Sequence, residues 1–362
     1  MALKIIRGKS LPIGVDLGSS AVKLAQLRVT GENIELLAAG TAQVPVYCRE
    51  NLDERLEFLS QNIRKIIKSN PFKGRHCVLS LPAEATFVHH VKIPRLTAEE
   101  IPFALQQELQ GKLPYGVDDA VIRFVVAGEA YGEGDPKQEV IVICVARPVL
   151  DRYLAMARRA KLDVLGVGIE SCAVVECFSR LFRRGTDTAR TILYIDLGAA
   201  TTQVAMAHGP QMVFSRNLFI GQEQLDKAIA EAMHISSEQA HAMRLDLLKG
   251  MKDGPAEDEL YRLLENQLDV LAGELTKCLR YYESVFRNQS VERAIFVGGG
   301  AYDKRLCQLI AQRLNLPAQV GDPLVRVKRV EGAGMGMGMD RREPQPDWAV
   351  AVGLSLGAAQ AA

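Results

Sequence analysis

The sequence is poor in the features that mark several large protein classes. Its seven cysteines include no C-x-x-C pair, which argues against a disulfide framework and against a zinc knuckle. The net charge is +1, so electrostatics gives no reason to expect nucleic acid as a partner. The longest apolar runs, such as 140–146 and 349–359, fall short of the roughly 20 residues that span a bilayer, and residues 1–11 lack a signal-peptide core. We therefore expect a soluble intracellular protein without a transmembrane segment, and a length of 362 residues suggests two domains.

Two common nucleotide-binding signatures are missing as well. No G-x-x-x-x-G-K-[ST] segment is present, which excludes a P-loop protein. The glycine turn at Gly18 contains no G-x-G-x-x-G and is followed by a further β-rich run, where a dinucleotide-binding fold would have a helix. Any nucleotide site must therefore be of another kind.

An internal repeat is the most informative feature that is present. Ile-Gly-Val-Asp-Leu-Gly at 13–18 returns as Leu-Tyr-Ile-Asp-Leu-Gly at 193–198. After each copy the pattern predicts a second strand, a turn, a third strand and then a helix, over 53–68 in the first copy and 222–233 in the second. A duplicated unit of this size predicts a fold of two similar halves, which can face each other across a cleft.

The predicted domains follow from this repeat. A stretch between the copies has strand and helix signals of its own, which predicts a small inserted α+β subdomain. The second copy is followed by several amphipathic helices and by a buried strand that runs into a glycine triplet. The predicted ranges are 1–76, 166–190 and 340–362 for the first half, 77–165 for the insertion, and 191–339 for the second half, with a helical subdomain at about 222–290.

The repeated Asp-x-Gly turns suit a magnesium–nucleotide complex. A glycine directly after a buried strand lets backbone N–H groups approach a phosphate, because no side chain keeps the oxygens away. A carboxylate beside it, Asp16 or Asp196, would repel phosphate unless a divalent cation lies between them. The glycine triplet 298–300 follows a strand and precedes a helix, a turn that permits close approach of a base and ribose.

Taken together, these motifs resemble those of the actin, Hsp70 and FtsA superfamily of ATPases with a ribonuclease H-like fold. Within it the chain resembles the PilM family of type IV pilus assembly proteins. The order and spacing of the motifs agree over nearly the full chain. The resemblance is carried by the opening Ile-Gly-Val-Asp-Leu-Gly-Ser-Ser-Ala-Val-Lys-Leu (13–24), by Pro94, Thr97-Ala-Glu-Glu and Leu113-Pro114-Tyr115, by the segment 274–282, and by Ala351-Val-Gly-Leu354.

The resemblance implies a duplicated actin-like α/β fold that binds ATP and Mg²⁺. It makes Asp16 and Asp196 the carboxylates that hold Mg²⁺, mostly through water, and Glu170 the residue that orients an attacking water. It assigns the phosphates to Gly18, Ser19, Ser20, Gly198, Thr201, Thr202 and Gly221, and the ribose and adenine to Glu274, Lys277, Gly298, Gly299 and Gly300. Lys23 adds a positive charge if its side chain turns inward, and otherwise it is a solvent-facing strand residue.

Two departures from the superfamily pattern predict at most slow ATPase activity. Ser171 stands after Glu170 where a proline is usual, and Gly221-Gln222 stands where the second half usually has Gly-Gly. By the resemblance, the partner is the short cytoplasmic N-terminal tail of an inner-membrane pilus assembly protein that is PilN-like, taken up between the insertion and the first half. The protein would then lie in the cytoplasm, peripheral at the inner membrane. The assembly motor ATPase and a second copy of the chain are further candidate partners.

Two other functions stay open from the sequence. An FtsA-like, filament-forming protein would tether itself to the membrane by an amphipathic helix at its end, and here only Gln360-Ala-Ala follows the final apolar run. A small-molecule kinase of the same superfamily would need a second carboxylate in the loops that face the cleft, and the sequence shows no second acidic motif there.

Overall fold

Two mixed β-sheets with the same underlying strand order form the centre of the molecule. The structure is a computed structural model that describes residues 8–130, 136–181, 190–248, 257–286, 289–329 and 343–357. Small parts of the predicted domain ranges, such as 1–7, 340–342 and 358–362, lie outside the described residues.

The first sheet has six strands in the order β14-β3-β2-β1-β4-β8. These strands are β1 (Lys9–Leu17), β2 (Ala21–Thr30), β3 (Asn33–Gln43), β4 (His76–Leu81), β8 (Asp163–Ile169) and β14 (Val327–Arg329). The first three form the predicted antiparallel meander, and β4 and β8 join β1 in parallel. Ile13, Val15 and Leu17 of β1 alternate along the strand, as one buried sheet face requires, and belong to one apolar cluster.

Five helices cover the two faces of this sheet. They are α1 (Tyr47–Glu50), α2 (Leu52–Ser69), α4 (Arg147–Arg159), α5 (Glu170–Ser179) and α11 (Ala349–Gly357). The side chain of Asn51 accepts hydrogen bonds from the backbone N–H groups of Asp53 and Glu54, which fixes the start of α2. Helices α2 and α4 share an apolar cluster with β1, while α11 packs against β1 and α5.

The second sheet has five strands in the order β11-β10-β9-β12-β13. They are β9 (Thr191–Leu197), β10 (Thr202–His208), β11 (Gln211–Leu218), β12 (Val291–Val297) and β13 (Ala318–Val320). The helices of this half are α6 (Gln222–Met233), α7 (Ser237–Leu248), α8 (Glu257–Leu263), α9 (Glu265–Val285) and α10 (Lys304–Leu314). Strands β9 to β13 repeat the order and direction of β1, β2, β3, β4 and β8, which confirms the predicted duplication.

In its described residues, the insertion is a separate three-stranded sheet with one α-helix. Its strands are β5 (Phe87–Pro94), β6 (Ala120–Ala130) and β7 (Lys137–Ala146), in the order β5-β7-β6, and its helix is α3 (Ile101–Glu108). Val91, Ile93, Leu105 and Val142 belong to the cluster that holds α3 on this sheet.

The pairing of the strands corrects two predicted domain limits. The insertion was predicted to span 77–165, but β4 lies in the first sheet at the place that β12 takes in the second, and α4 packs beside α2. These elements belong to the duplicated unit, so the inserted sheet begins at Phe87 and ends at Ala146. Likewise β14, predicted in the second half, pairs with β3 of the first sheet.

The insertion also packs against the second half. Ala127, Ile141 and Phe214 belong to the same apolar cluster, so the inserted sheet contacts β11 at the edge of the second sheet. Among the described residues, no helix combines the length and apolar character that a membrane crossing needs.

Candidate nucleotide cleft and adjoining groove

Asp16 and Asp196 lie at equivalent places, each near the carboxyl end of the strand that starts its half. Asp16 is the next-to-last residue of β1 and Asp196 the next-to-last residue of β9, and both line one polar cavity between the halves. Ser80 at the end of β4 holds Asp16, with its hydroxyl 3.5 Å from Asp16 Oδ1, and it also accepts a hydrogen bond from the backbone N–H of Leu17. The repeat therefore brings the two predicted magnesium ligands together.

The surroundings of the cavity raise the pKa of its acidic groups. Burial raises the pKa of Asp16 to about 6, a rise that the ammonium of Lys23 opposes. Enclosure by protein, followed by the charge of Asp16, raises the pKa of Asp196 to about 7. Burial and the charges of both aspartates raise the pKa of Glu170 well above its ordinary value. Carboxylates crowded in this way favour a cation or a proton among them.

Lys23 and Gln203 are the cross-strand neighbours of the two aspartates. Lys23 of β2 lies opposite Asp16, and Gln203 of β10 lies opposite Asp196. The Lys23 side chain turns inward and lines the cavity, with its Nζ 3.2 Å from Asp347 Oδ2. Burial lowers the pKa of Lys23, but the carboxylates of Asp347 and Asp16 outweigh this effect, so the pKa is raised overall. Gln203 donates a hydrogen bond to Glu170.

The first predicted phosphate loop lies on a buried arginine. Gly18, Ser19 and Ser20 line the polar cavity. Behind them, Arg55 of α2 donates from Nη2 to the carbonyl of Leu17 at 2.8 Å and to that of Gly18 at 3.2 Å. Arg55 is therefore a structural support for this loop.

The second loop is tied to the start of α6. Gly198 donates to the carbonyl of Thr201 at 3.0 Å, and Gln222 donates to the carbonyl of Gly198 at 3.1 Å. A Cβ on Gly221 would lie 2.3 Å from the carbonyl oxygen of Ala199, so the loop needs glycine there to approach α6. Gly198 and Thr201 line the cavity, whereas Thr202 and Gly221 are not among its lining residues.

The glycine triplet closes the cavity on the side of Asp196. Gly298 has a φ of +82°, and a Cβ there would lie 2.1 Å from Asp196 Oδ1, which leaves no space for a side chain. Its N–H donates to the carbonyl of Pro346 at 3.0 Å. Gly298 and Gly299 line the cavity, while Gly300 is buried and is not among its lining residues.

Two predicted contacts to ribose and adenine lie elsewhere. Glu274 and Lys277 form an ion pair of 2.5 Å along α9, and Arg216 of β11 lies 3.2 Å from Glu274. Neither side chain is among the lining residues of the cavity. The spacing of three residues on a helix explains their pairing, so the structure does not bring them to the predicted cleft.

Several residues of the cleft belong to no motif that can be recognised from the sequence alone. Besides Arg55, they include Gln203, Asp347 and Glu84, the last on the turn after β4. The sequence indicated no second acidic motif in loops facing the cleft, but Glu84 supplies a carboxylate there, and its charge contributes to the raised pKa of Glu170. The repeat could have located Gln203, because it takes the place of Lys23 in the second copy.

The donor set fits a magnesium ion held mainly through water. Within the described ranges, no group of three or more His, Cys, Asp or Glu side chains is arranged to hold a metal. The two predicted ligands, Asp16 and Asp196, both lie at the cavity wall, and Mg²⁺ commonly keeps several waters and takes one or two carboxylates together with phosphate oxygens.

A larger cavity of about 980 Å³ joins both loops to the insertion. Its lining includes Ser19, Ser20, Ala199 and Ala200 of the two loops. Apolar residues of the first half and of the insertion form a groove in its wall, lined by Val46, Leu52, Pro114, Tyr115, Ala146, Val149 and Tyr153. Polar residues of α6 and α7 complete the lining, namely Glu223, Asp226, Lys227, Ser237, Glu238 and His241. Tyr115 lines this groove, while its hydroxyl is buried in the protein without a hydrogen-bond partner among the described residues.

Comparison with known proteins places these features in a family. Residues 14–359 match the model of the type IV pilus assembly protein PilM. The chain belongs to the PilM family of type IV pilus assembly proteins. Its fold is similar to that of a solved PilM-PilN type IV pilus biogenesis complex, with 19% identity, a TM-score of 0.77, and coverage of 96% of this chain and 98% of that chain.

A second solved structure shares the architecture more distantly. The ethanolamine utilization protein EutJ from Carboxydothermus hydrogenoformans is 14% identical, with a TM-score of 0.55 and coverage of 96% of this chain and 89% of that chain. At these identities the likeness shows the fold, and it confirms the predicted actin-like α/β architecture.

Proposed function

We propose that this PilM-family chain is an ATP-binding cytoplasmic scaffold of the inner-membrane complex that assembles a type IV pilus or a related secretion apparatus. In this role it takes up the short cytoplasmic N-terminal tail of a PilN-like membrane protein, and through that partner it is held at the inner membrane. The observation that carries the proposal is the continuous cavity that joins two phosphate-type loops to an apolar groove.

The nucleotide part of the proposal rests on the two matched loops. Asp16 and Asp196 provide oxygen ligands for Mg²⁺, and Gly18, Ser19 and Ser20 of the first loop and Gly198, Ala199 and Thr201 of the second line the same cavity. Mg²⁺ supplies charge neutralisation between these carboxylates and the phosphates. Lys23 lines the same cavity and provides a positive charge for a phosphate.

Any hydrolysis should be slow. A water-orienting Glu170 must be ionised to act as a base, but its pKa is raised by burial and by neighbouring carboxylates, and Gln203 binds it. We expect the turnover number of the isolated protein to lie far below the roughly 10 s⁻¹ typical of enzymes. A steady-state phosphate-release assay measures it, and a turnover near the typical value would contradict a site built to hold ATP.

The partner part of the proposal rests on the groove. Its wall combines aliphatic side chains with the rings of two tyrosines. An extended peptide with apolar side chains suits such a surface, because these side chains would displace water from it. The solved PilM-PilN complex, whose PilM shares the fold, supports the choice of a PilN-like tail.

Peptide titration tests the groove directly. We would titrate the wild type with a fluorescent peptide that corresponds to the cytoplasmic tail of the PilN-like protein of the same organism, and follow anisotropy. Val149→Glu places a charge in the groove and should weaken binding at least about tenfold.

Leu165→Glu is the matched control, because Leu165 is 60% exposed on β8 and is not among the lining residues of the cavity. Equal affinity of both variants and the wild type would place the peptide elsewhere. A loss of affinity in both variants would indicate a general charge effect and would also reject the groove.

The two alternatives receive less support. Helix α11 is buried along its described length between β1 and α5, so this helix cannot itself be the exposed amphipathic membrane anchor of an FtsA-like protein. For a kinase, Glu84 supplies an acidic group in the cleft, but the groove beside it is mainly apolar and suits a peptide better than a polar acceptor.

A further inference from the structure

The polar cavity has an unusual balance of charge for a phosphate site. Its described lining residues include one cationic side chain, that of Lys23. The carboxylates that line it are those of Asp16, Glu84, Glu170, Asp196 and Asp347. The phosphates of a nucleotide would therefore enter a mainly negative cavity, in which Lys23 is the cationic side chain available to them.

Lys23 already has a partner in this structure. Its Nζ lies 3.2 Å from Asp347 Oδ2, and the two side chains are only 16% and 18% exposed. Because water screens such a pair poorly, the bond costs more to break than a surface ion pair.

Asp347 is itself held firmly at the rim of the cavity. Its Oδ1 accepts a hydrogen bond of 2.7 Å from the hydroxyl of Tyr302. The preceding residue, Pro346, accepts the hydrogen bond of Gly298 through its carbonyl. Asp347 is thus fixed beside the glycine triplet with its second oxygen directed to Lys23.

We propose that Asp347 is a positioning residue that occupies Lys23 in the nucleotide-free cleft and lowers the affinity for nucleotide, because the phosphate must displace it. This inference rests on the proposed nucleotide binding. A phosphate that binds Lys23 breaks the ion pair and leaves the carboxylate of Asp347 nearby, and both effects oppose binding. The chain therefore holds nucleotide less tightly than its loops alone would allow.

Calorimetric titration with Mg·ATP tests this role. Asp347→Asn removes the charge but keeps an oxygen that accepts from Tyr302, so it should bind Mg·ATP about fivefold more tightly than the wild type. Lys23→Met should weaken binding. In the double variant, replacing Asp347 should give a clearly smaller gain than in the wild type, because no lysine remains to be released.

Asp258→Asn serves as the control for net charge, since Asp258 is 69% exposed and lies outside the cavity. It should leave the affinity unchanged. If the wild type binds Mg·ATP and Asp347→Asn binds it equally or more weakly, the inference is overturned while the proposed function stands. An equal gain with and without Lys23 also overturns it. If neither the wild type nor any variant binds Mg·ATP, the proposed nucleotide site fails and the inference fails with it.

Discussion

The two copies of the strand–turn–strand unit face each other across the cleft with the same backbone and different side chains. In the first copy, Lys23 lies opposite Asp16 and pairs with Asp347. In the second copy, Gln203 lies opposite Asp196 and binds Glu170. The first copy thus contributes a positive charge, and the second contributes a neutral amide that holds a carboxyl group.

This difference shows how a duplicated fold acquires an asymmetric site. The two sheets share the order of five strands, so the aspartates and the loops come from the repeat itself. The residue opposite each aspartate can differ between the copies because backbone hydrogen bonds, which do not depend on the side chain, pair the strands. Among the described residues that line the polar cavity, the only cationic side chain, that of Lys23, comes from the first half.

The repeat also predicts which segments can be removed without unfolding the protein. A deletion that disrupts the duplicated unit should have the largest effect on folding. Deletion of 77–165 removes β4 and α4, which belong to the first sheet and its cover, and should prevent folding. Replacement of 87–146 by a short Gly/Ser linker should leave a folded chain that binds Mg·ATP but not the partner tail. The ends are close, because Phe87 pairs with Cys144.

Circular dichroism and calorimetry compare the two deletions. If the chain without 77–165 still folds, β4 is dispensable for stability, although it takes the place in the first sheet that β12 takes in the second. If the 87–146 replacement folds and still binds the tail, the groove is not the binding site.

The contact of the insertion with the second half should have the next largest effect. Glu139 of β7 is completely buried, and its Oε1 accepts from the hydroxyl of Tyr281 at 2.6 Å and lies 2.9 Å from His90 Nδ1. Tyr281→Phe removes the first bond and should lower the free energy of unfolding by about 2 kcal/mol, because a buried carboxylate loses a partner. Chemical denaturation measures the change.

Tyr47→Phe is the matched control, because Tyr47 is 69% exposed and lies on α1, outside the insertion. It should leave the stability within about 0.5 kcal/mol of the wild type. If the two variants are equally stable, the hydrogen bond to Glu139 does not hold the insertion in place.

Loss of one cleft aspartate should weaken nucleotide binding more than it lowers the stability of the fold. Asp196→Ala removes a carboxylate that makes a metal–phosphate complex tolerable in the cleft, so the affinity for Mg·ATP should fall at least about tenfold, or about 1.4 kcal/mol. Calorimetry measures it, with exposed Asp258→Ala as the control. Unchanged binding in Asp196→Ala would reject the two-loop site.

Part of this site was accessible from the sequence, and part was not. Asp16 and Asp196 could be predicted because each lies in a copied motif after an apolar strand. The roles of Arg55 and Asp347 depend on how α2 and the segment before α11 pack on the first loop and the glycine triplet, which no local pattern encodes. The predicted boundary of the insertion at residue 77 was wrong. The sequence of β4 is that of an apolar strand, which would fit either the insertion or the first half, and only its pairing with β1 shows that it belongs to the first sheet.

The pH dependence of Mg·ATP binding should show the smallest effect, and it distinguishes the two aspartates by their different pKa values. The pKa is about 6 for Asp16 and about 7 for Asp196 in the cation-free chain, above the ordinary value of 3.8, so both carry protons in mildly acidic solution. Their protonation favours the folded state at low pH, and that contribution is lost as the pH rises through 6 and then 7.

Binding of Mg²⁺ and phosphate requires the ionised carboxylates, so the affinity for Mg·ATP should change in the opposite direction. We expect it to rise about fivefold between pH 6.5 and pH 8, with protons released on binding, because most of the ionisation of Asp196 falls in this interval. Calorimetry in two buffers of different ionisation enthalpy measures both the affinity and the proton count. In Asp196→Asn the affinity should be lower and should change far less between these pH values, because Asp16 is already largely ionised at pH 6.5. An unchanged pH profile in that variant would assign the titration to another group in the cleft.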